Sequence, residues 1–169
     1  TVTDCLIEGN NSTDDGAGIY SQYANVVNTI VRNNVSSVYG GGVYATNYSY
    51  YADCLIANNT SARNGAGVYA STSTYFTNCD IVNNLNTSTS YNGAGFYANS
   101  SNINVINSVI WGNKRSTYAD NVYNASSSSY LTLTYSAVEG GWNGVKLYYM
   151  LGLPTETDED IVGIAKMAN

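Results

Sequence analysis

No histidine occurs among the 169 residues, which excludes imidazole-based proton transfer and His-ligated metal centres. Lys and Arg number 6 against 12 Asp and Glu, and charged residues make up only 11% of the chain. A basic footprint is therefore missing, and no nucleic-acid partner is expected. Apolar runs fall well short of the roughly 20 residues a membrane helix needs, so no membrane insertion is expected. Three cysteines cannot all pair with one another, so no disulfide framework is indicated. The amino terminus, Thr1-Val2-Thr3-Asp4-Cys5, shows neither an initiator Met nor a signal-peptide pattern and reads as processed or excised. One proline and 44% hydrophobic residues, with 17 Tyr, argue for a folded chain with a core.

What is present is repetition. The segments Asp4-Cys5-Leu6-Ile7, Asn28-Thr29-Ile30-Val31, Asp53-Cys54-Leu55-Ile56, Asn78-Cys79-Asp80-Ile81, Asn107-Ser108-Val109-Ile110 and Tyr135-Ser136-Ala137-Val138 align, with starts stepping by 24, 25, 25, 29 and 28. Five residues after the small-residue column come Asn10, Asn34, Asn59, Asn84 and Asn113, with Gly141 in the sixth copy. A second signature follows: Gly16-Ala17-Gly18-Ile19-Tyr20, Gly40-Gly41-Gly42-Val43-Tyr44, Gly65-Ala66-Gly67-Val68-Tyr69 and Gly93-Ala94-Gly95-Phe96-Tyr97. In the fifth copy, Asn121-Val122-Tyr123 places Asn where the others have Gly, as the non-Gly residue that best tolerates positive φ in a tight turn. The fourth copy carries three extra residues within Leu85 to Tyr91, which predicts a loop on one face and a first place to look for binding.

Short β-branched and aromatic runs broken by Gly and Asn, with no 3.6-residue stripe, exclude helical repeats. The expected fold is all-β: a right-handed parallel β-helix of five to six coils, on the order of 25 to 30 Å long. Ile7, Val31, Ile56, Ile81, Ile110 and Val138 form an inward aliphatic stack, and Cys5, Thr29, Cys54, Cys79, Ser108 and Ser136 a small-residue stack beside it. The Asn column predicts a side-chain amide ladder bonding coil to coil. Cys54 and Cys79 sit in adjacent coils, where a reduced small-residue ladder outweighs a disulfide.

The alternation of GAGIY, GGGVY, GAGVY and GAGFY with CLIEGN, TIVRNN, CLIANN, CDIVNN and SVIWGN resembles the repeats of polymorphic outer-membrane proteins, with their GGA-aliphatic and FxxN motifs. Here Leu, Ile or Val replaces the FxxN phenylalanine. The likeness covers residues 1–144 and implies an extracellular or cell-surface, adhesin-like protein. The acids and bases of the coils form no catalytic constellation, so no enzymatic activity and no cofactor are expected. The same fold carries polysaccharide lyases and hydrolases, so a carbohydrate-active enzyme is the alternative. It would lean on Asp14, Asp15 or Asp80.

Residues 145–169 form a second region of different composition, holding the only Pro, both Met and six of the eighteen charges. Val145 to Ile161 predicts a strand, a tight turn and a helix start, with Thr157 and Asp160 as a capping box; the whole reads as a cap on the stack. The segment KLYYMLGLPTETDEDIVGIAKMA also resembles an internal piece of radical SAM enzymes, but the three-cysteine cluster motif of that family is absent.

Tyr20, Tyr44, Tyr69, Tyr97 and Tyr123 each follow an inward residue, so alternation turns them outward as an exposed ladder suited to sugar stacking or a subunit contact. Tyr48, Tyr50, Tyr51, Tyr75 and Tyr130 are expected to add aromatic surface on the next turn. With the loop from Leu85 to Tyr91, these are the candidate binding residues; no catalytic or metal-ligating set stands out. Glu8 and Arg32 read as a surface pair, and Asp14-Asp15 as turn chemistry before weak calcium binding. Among the Asn-x-Ser/Thr sites, Asn47, Asn86 and Asn99 are the expected glycosylation targets. A first coil without a cap predicts self-association by coil stacking.

Overall fold

A computed structural model describes residues 1–99, 102–125 and 131–139. It is a parallel β-solenoid of about five turns, with no helix among the described residues. The first four turns each contribute one short strand to each of four sheets, and the fifth gives the third sheet two, Lys114–Arg115 and Tyr118–Ala119. The first stacks Val2–Thr3, Asn25–Val27, Tyr50–Ala52, Tyr75–Thr77, Ile103–Ile106 and Leu131–Thr134; the second runs from Leu6–Glu8 to Ala137–Val138. The third runs from Asn11–Ser12 to Lys114–Arg115, and the fourth from Ile19–Gln22 to Val122–Asn124. The register keeps equivalent residues of successive copies opposite one another, as in Ile56 between Val31 and Ile81.

The strands are two to four residues long because each corner is closed by a residue in the left-handed region. Between the first and second sheets these are Asp4, Asn28, Asp53, Asn78, Asn107 and Tyr135, with φ from 47° to 55°. Between the second and third they are Gly9, Asn33, Asn58, Asn83 and Gly112. This is why the chain is so rich in Asn, since Gly, Asn and Asp enter that region most cheaply. The corner side chains also bond outside the solenoid: Asn28 Nδ2 donates to Asp4 Oδ1 at 2.7 Å and Asn107 Nδ2 to Asn78 Oδ1 at 2.7 Å.

Inside, Val31, Ile56, Ile81 and Ile110 are fully buried, and Thr29, Cys54, Cys79, Ser108 and Ser136 line the small-residue column, as their spacing predicts. Both buried cysteines are free thiols; Cys54 donates to Ala52 O at 3.1 Å and Cys79 to Thr77 O at 3.3 Å. The first sheet adds Val26, Tyr51, Phe76 and Val105 to the core. Tyr51 thereby departs from its expected place on the surface. It stands two residues beyond the buried Ser49 and next to Tyr50, which takes the outward position, so Tyr51 stacks on Phe76 at 4.8 Å instead. Its hydroxyl shares a 2.7 Å hydrogen bond with Ser21, which meets the need of a buried phenol for a partner.

The Asn ladder is present and longer than its repeat. Asn10 Nδ2 donates to Asn34 Oδ1, Asn34 to Asn59, Asn59 to Asn84 and Asn84 to Asn113, at 2.9 to 3.1 Å. The ladder's sixth member is Asn121, only eight residues beyond Asn113, whose Oδ1 accepts from Asn113 Nδ2 at 2.9 Å. Asn121 is thus not the turn residue its alignment with Gly suggests. In the fifth coil Lys114–Arg115 pairs antiparallel with Tyr118–Ala119, and the doubled-back chain brings Asn121 over the ladder. Gly141, Tyr130 and the expected carboxy-terminal strand-turn-helix of residues 145–169 lie outside the described residues.

Candidate binding face

The alternation of the fourth sheet buries Val43, Val68 and Phe96 and turns the following tyrosines outward. Tyr20, Tyr44, Tyr69, Tyr97 and Tyr123 stack in order at ring separations of 4.9, 4.8, 5.1 and 5.5 Å, with planes 7° to 16° apart. Parallel stacking has a consequence that alternation alone does not show. The ring faces are spent on one another, so the ladder offers solvent mainly ring edges and hydroxyls rather than faces for sugar stacking. The middle is also covered. Tyr69 is only 7% exposed because Tyr39 leans on it at 4.9 Å and 32°. Burial pushes the Tyr69 phenol up from its ordinary pKa, and the neighbouring Tyr44 and Tyr97 push it further.

Around the corner into the first sheet stand two shorter ladders. Tyr23 and Tyr48 stack at 6.2 Å, and Tyr50 and Tyr75 at 4.5 Å. Tyr23 is 72%, Tyr48 56% and Tyr20 53% exposed, so the open aromatic surface lies at this corner more than along the five-membered ladder. Tyr23 was not singled out by the repeat, because it occupies a corner position filled by Asn47-Tyr48 and Thr72-Ser73 in the following coils.

The insertion in the fourth coil places Leu85 on the third sheet, exposed, and brings Tyr91 over Arg63 of the coil before. Asn92, next in the loop, is fixed from both sides: its N–H donates to Asn64 Oδ1 and its Oδ1 accepts from Arg115 Nη1, each at 2.7 Å. Arg115 also faces Asp120 at 3.6 Å.

The three expected glycosylation sites are not equivalent. Asn99 is exposed and Asn47 half-buried at its left-handed corner, but Asn86 is 0% exposed. The reason is strand phase: Asn86 shares an inward column with Ser36 and Ser61, and its Oδ1 accepts from Ser88 N at 2.9 Å. An oligosaccharyltransferase acting on the folded chain should therefore modify Asn99, and Asn47 to a lesser extent, and leave Asn86 bare, which peptide mass spectrometry would show.

The carboxylates are dispersed. Glu8 and Arg32 pair at 2.7 Å with both side chains over two-fifths exposed, an arrangement worth about 0.2 to 1 kcal/mol. Asp14 and Asp15 do turn work: Asp14 Oδ1 accepts from Asp15 N at 3.0 Å, and Asp15 Oδ1 from Tyr39 N at 3.1 Å. Asp80 is exposed on the second sheet, in another coil. No group of three or more metal-ligating side chains occurs among the described residues. The second sheet also turns Leu6, Ile30, Val109 and Trp111 to solvent, with the exposed Asp80 interrupting the column between Leu55 and Val109. Compared with known proteins, the chain matches no family model, no curated protein and no solved structure.

Proposed function

We propose that the chain is a non-enzymatic, extracellular β-solenoid that binds a hydroxyl-rich polymer, a glycan, along the corner carrying Tyr20, Tyr23, Tyr48 and Tyr50. The observation that carries this reading is the exposure of those four side chains on one edge of a solenoid whose core is otherwise closed. Single exposed apolar residues need no explanation, but four exposed tyrosines grouped at one corner mark an interaction site. Phenol edges and hydroxyls repeated from coil to coil present donors and acceptors in a row. Such a row suits a chain of sugar hydroxyls running along the axis. The resemblance of the repeats to those of surface proteins supports an extracellular setting.

Affinity electrophoresis in gels containing neutral polysaccharides tests this. Retardation of the wild type that is lost in the Tyr23→Ala/Tyr48→Ala double variant supports it. Unchanged mobility across the polysaccharide panel overturns it. Concentration-dependent filaments in negative stain, abolished by the same pair, would assign the corner to contact with a second copy instead.

A further inference from the structure

Arg63 stands apart from the other described cations. Arg32 is taken by Glu8 and Arg115 by Asp120 and Asn92, while Lys114 lies exposed on the third sheet. Arg63 is exposed yet fixed: its guanidinium carbon lies 5.8 Å from the Tyr39 ring centroid and 5.7 Å from that of Tyr91. The two rings come from different coils, and Tyr91 is delivered by the three-residue insertion of the fourth coil. Tyr39 is itself held, leaning on Tyr69 and donating its N–H to Asp15. The Asp15 carboxylate is near enough to feel the Arg63 charge, yet Arg63 forms no salt bridge with it, and among the described residues no acceptor bonds the guanidinium. A guanidinium held against aromatic rings loses little side-chain freedom on binding, and its planar fork matches a carboxylate in a bidentate arrangement.

We propose that Arg63, with Tyr39 and Tyr91, forms a subsite for the carboxylate of an acidic sugar residue. The inference rests on the glycan reading given above and names an acidic residue of that glycan, held at the corner between the third and fourth sheets, across the fourth sheet from Tyr23 and Tyr48. The flanking phenols supply apolar ring surface for the pyranose and hydroxyls for its neighbours, while the guanidinium reads the charge. The protein's net charge of -6 opposes general binding of polyanions, so retention of an acidic polymer requires a local cation.

Two measurements test the subsite. In affinity electrophoresis, a glucuronate-containing polysaccharide should retard the wild type about tenfold more strongly, as an apparent dissociation constant, than the same polymer after carboxyl reduction. Arg63→Gln should erase that difference without altering retardation by the neutral polymer. Arg63→Lys should restore only part of it, because an ammonium lacks the fork. The inference is overturned if the reduced and acidic polymers both retard the protein and do so alike, or if Arg63→Gln keeps the difference. In the second measurement, NMR titration with free glucuronate, and with glucose as control, should shift the Arg63 Nε and Tyr91 amide signals of the wild type and not those of Tyr91→Leu. Absence of any glucuronate shift at Arg63 also overturns it. Shifts at Arg63 without retardation by any polymer would keep the subsite and discard the polymer-binding corner.

Discussion

Replacing Asn84 with alanine is expected to destabilise the solenoid by about 2.5 to 7.5 kcal/mol, a loss readable as a lowered midpoint in urea denaturation. Asn84 is 1% exposed and its side chain makes four hydrogen bonds. Oδ1 accepts from Asn59 N at 2.9 Å and from Asn59 Nδ2 at 3.1 Å; Nδ2 donates to Ile56 O at 3.0 Å and to Asn113 Oδ1 at 2.9 Å. Alanine leaves the buried Asn59 N–H without a partner, which costs about 1 to 3 kcal/mol, and removes three further bonds worth roughly 0.5 to 1.5 kcal/mol each. Because a solenoid is stabilised by contacts between neighbouring coils, the break separates the third coil from the fifth across a weakened fourth.

Asn84→Asp refines the test by changing almost no volume. The second carboxyl oxygen then faces Ile56 O and Asn113 Oδ1, two acceptors, in a site closed to water. Burial and those acceptors raise the folded-state pKa of the new acid above its unfolded value of about 3.9. The folded state then binds the proton more tightly than the unfolded state. The variant should accordingly be most stable below about pH 4 and lose stability as the pH rises through its raised folded-state pKa, a dependence absent from Asn84→Ala.

The ladder also shows what the sequence made legible. Asn10, Asn34, Asn59, Asn84 and Asn113 recur at a fixed offset from an aliphatic column, and a period repeated that often fixes both the coil length and the inward direction. The same period placed Asn121 correctly on Gly95, whose neighbour Phe96 donates its N–H to Asn121 O, but it suggested a left-handed turn that Asn121 does not adopt and gave no sign that its side chain extends the ladder, because the doubling back of Lys114–Arg115 on Tyr118–Ala119 lies between. Tyr69 shows a second limit. Alternation gives the direction of a side chain but not what covers it, and its cover is Tyr39, from a segment with no repeat signature. Tyr51 and Asn86 show a third: a left-handed corner between strands resets the phase, so inward and outward must be counted afresh within each sheet. Arg63 carried no signal at all, since its site exists only where an insertion in one coil overhangs another.

Gly67→Ala is expected to destabilise by about 3 kcal/mol, at the upper end for one added methyl, and the surroundings say why. A Cβ at Gly67 would lie 2.6 Å from Gly95 O, 2.7 Å from Asn84 Nδ2 and 2.9 Å from Ile81 Cγ2. None of the three can yield cheaply. Gly95 O accepts from Val68 N at 2.9 Å, Asn84 Nδ2 is held by Ile56 O and Asn113, and Ile81 is fully buried. The second glycine of each GxG signature is therefore required by space, as Gly42 against Asn59 and Ile56 repeats one coil earlier. A contrasting position separates space from backbone conformation. Gly9 has φ +70° and open space around its absent Cβ, and the corners below it in the stack are Asn33, Asn58 and Asn83, with φ of 55° to 56°. Gly9→Asn should consequently fall within about 0.5 kcal/mol of wild type. Combining Gly67→Ala with Asn84→Ala should cost at least 0.5 kcal/mol less than the sum of the two single changes, since deleting the amide vacates one of the three clashes. Strict additivity would mean that the glycine column and the Asn ladder pack independently, and the GxG and Asn signatures would then share a period without sharing a contact.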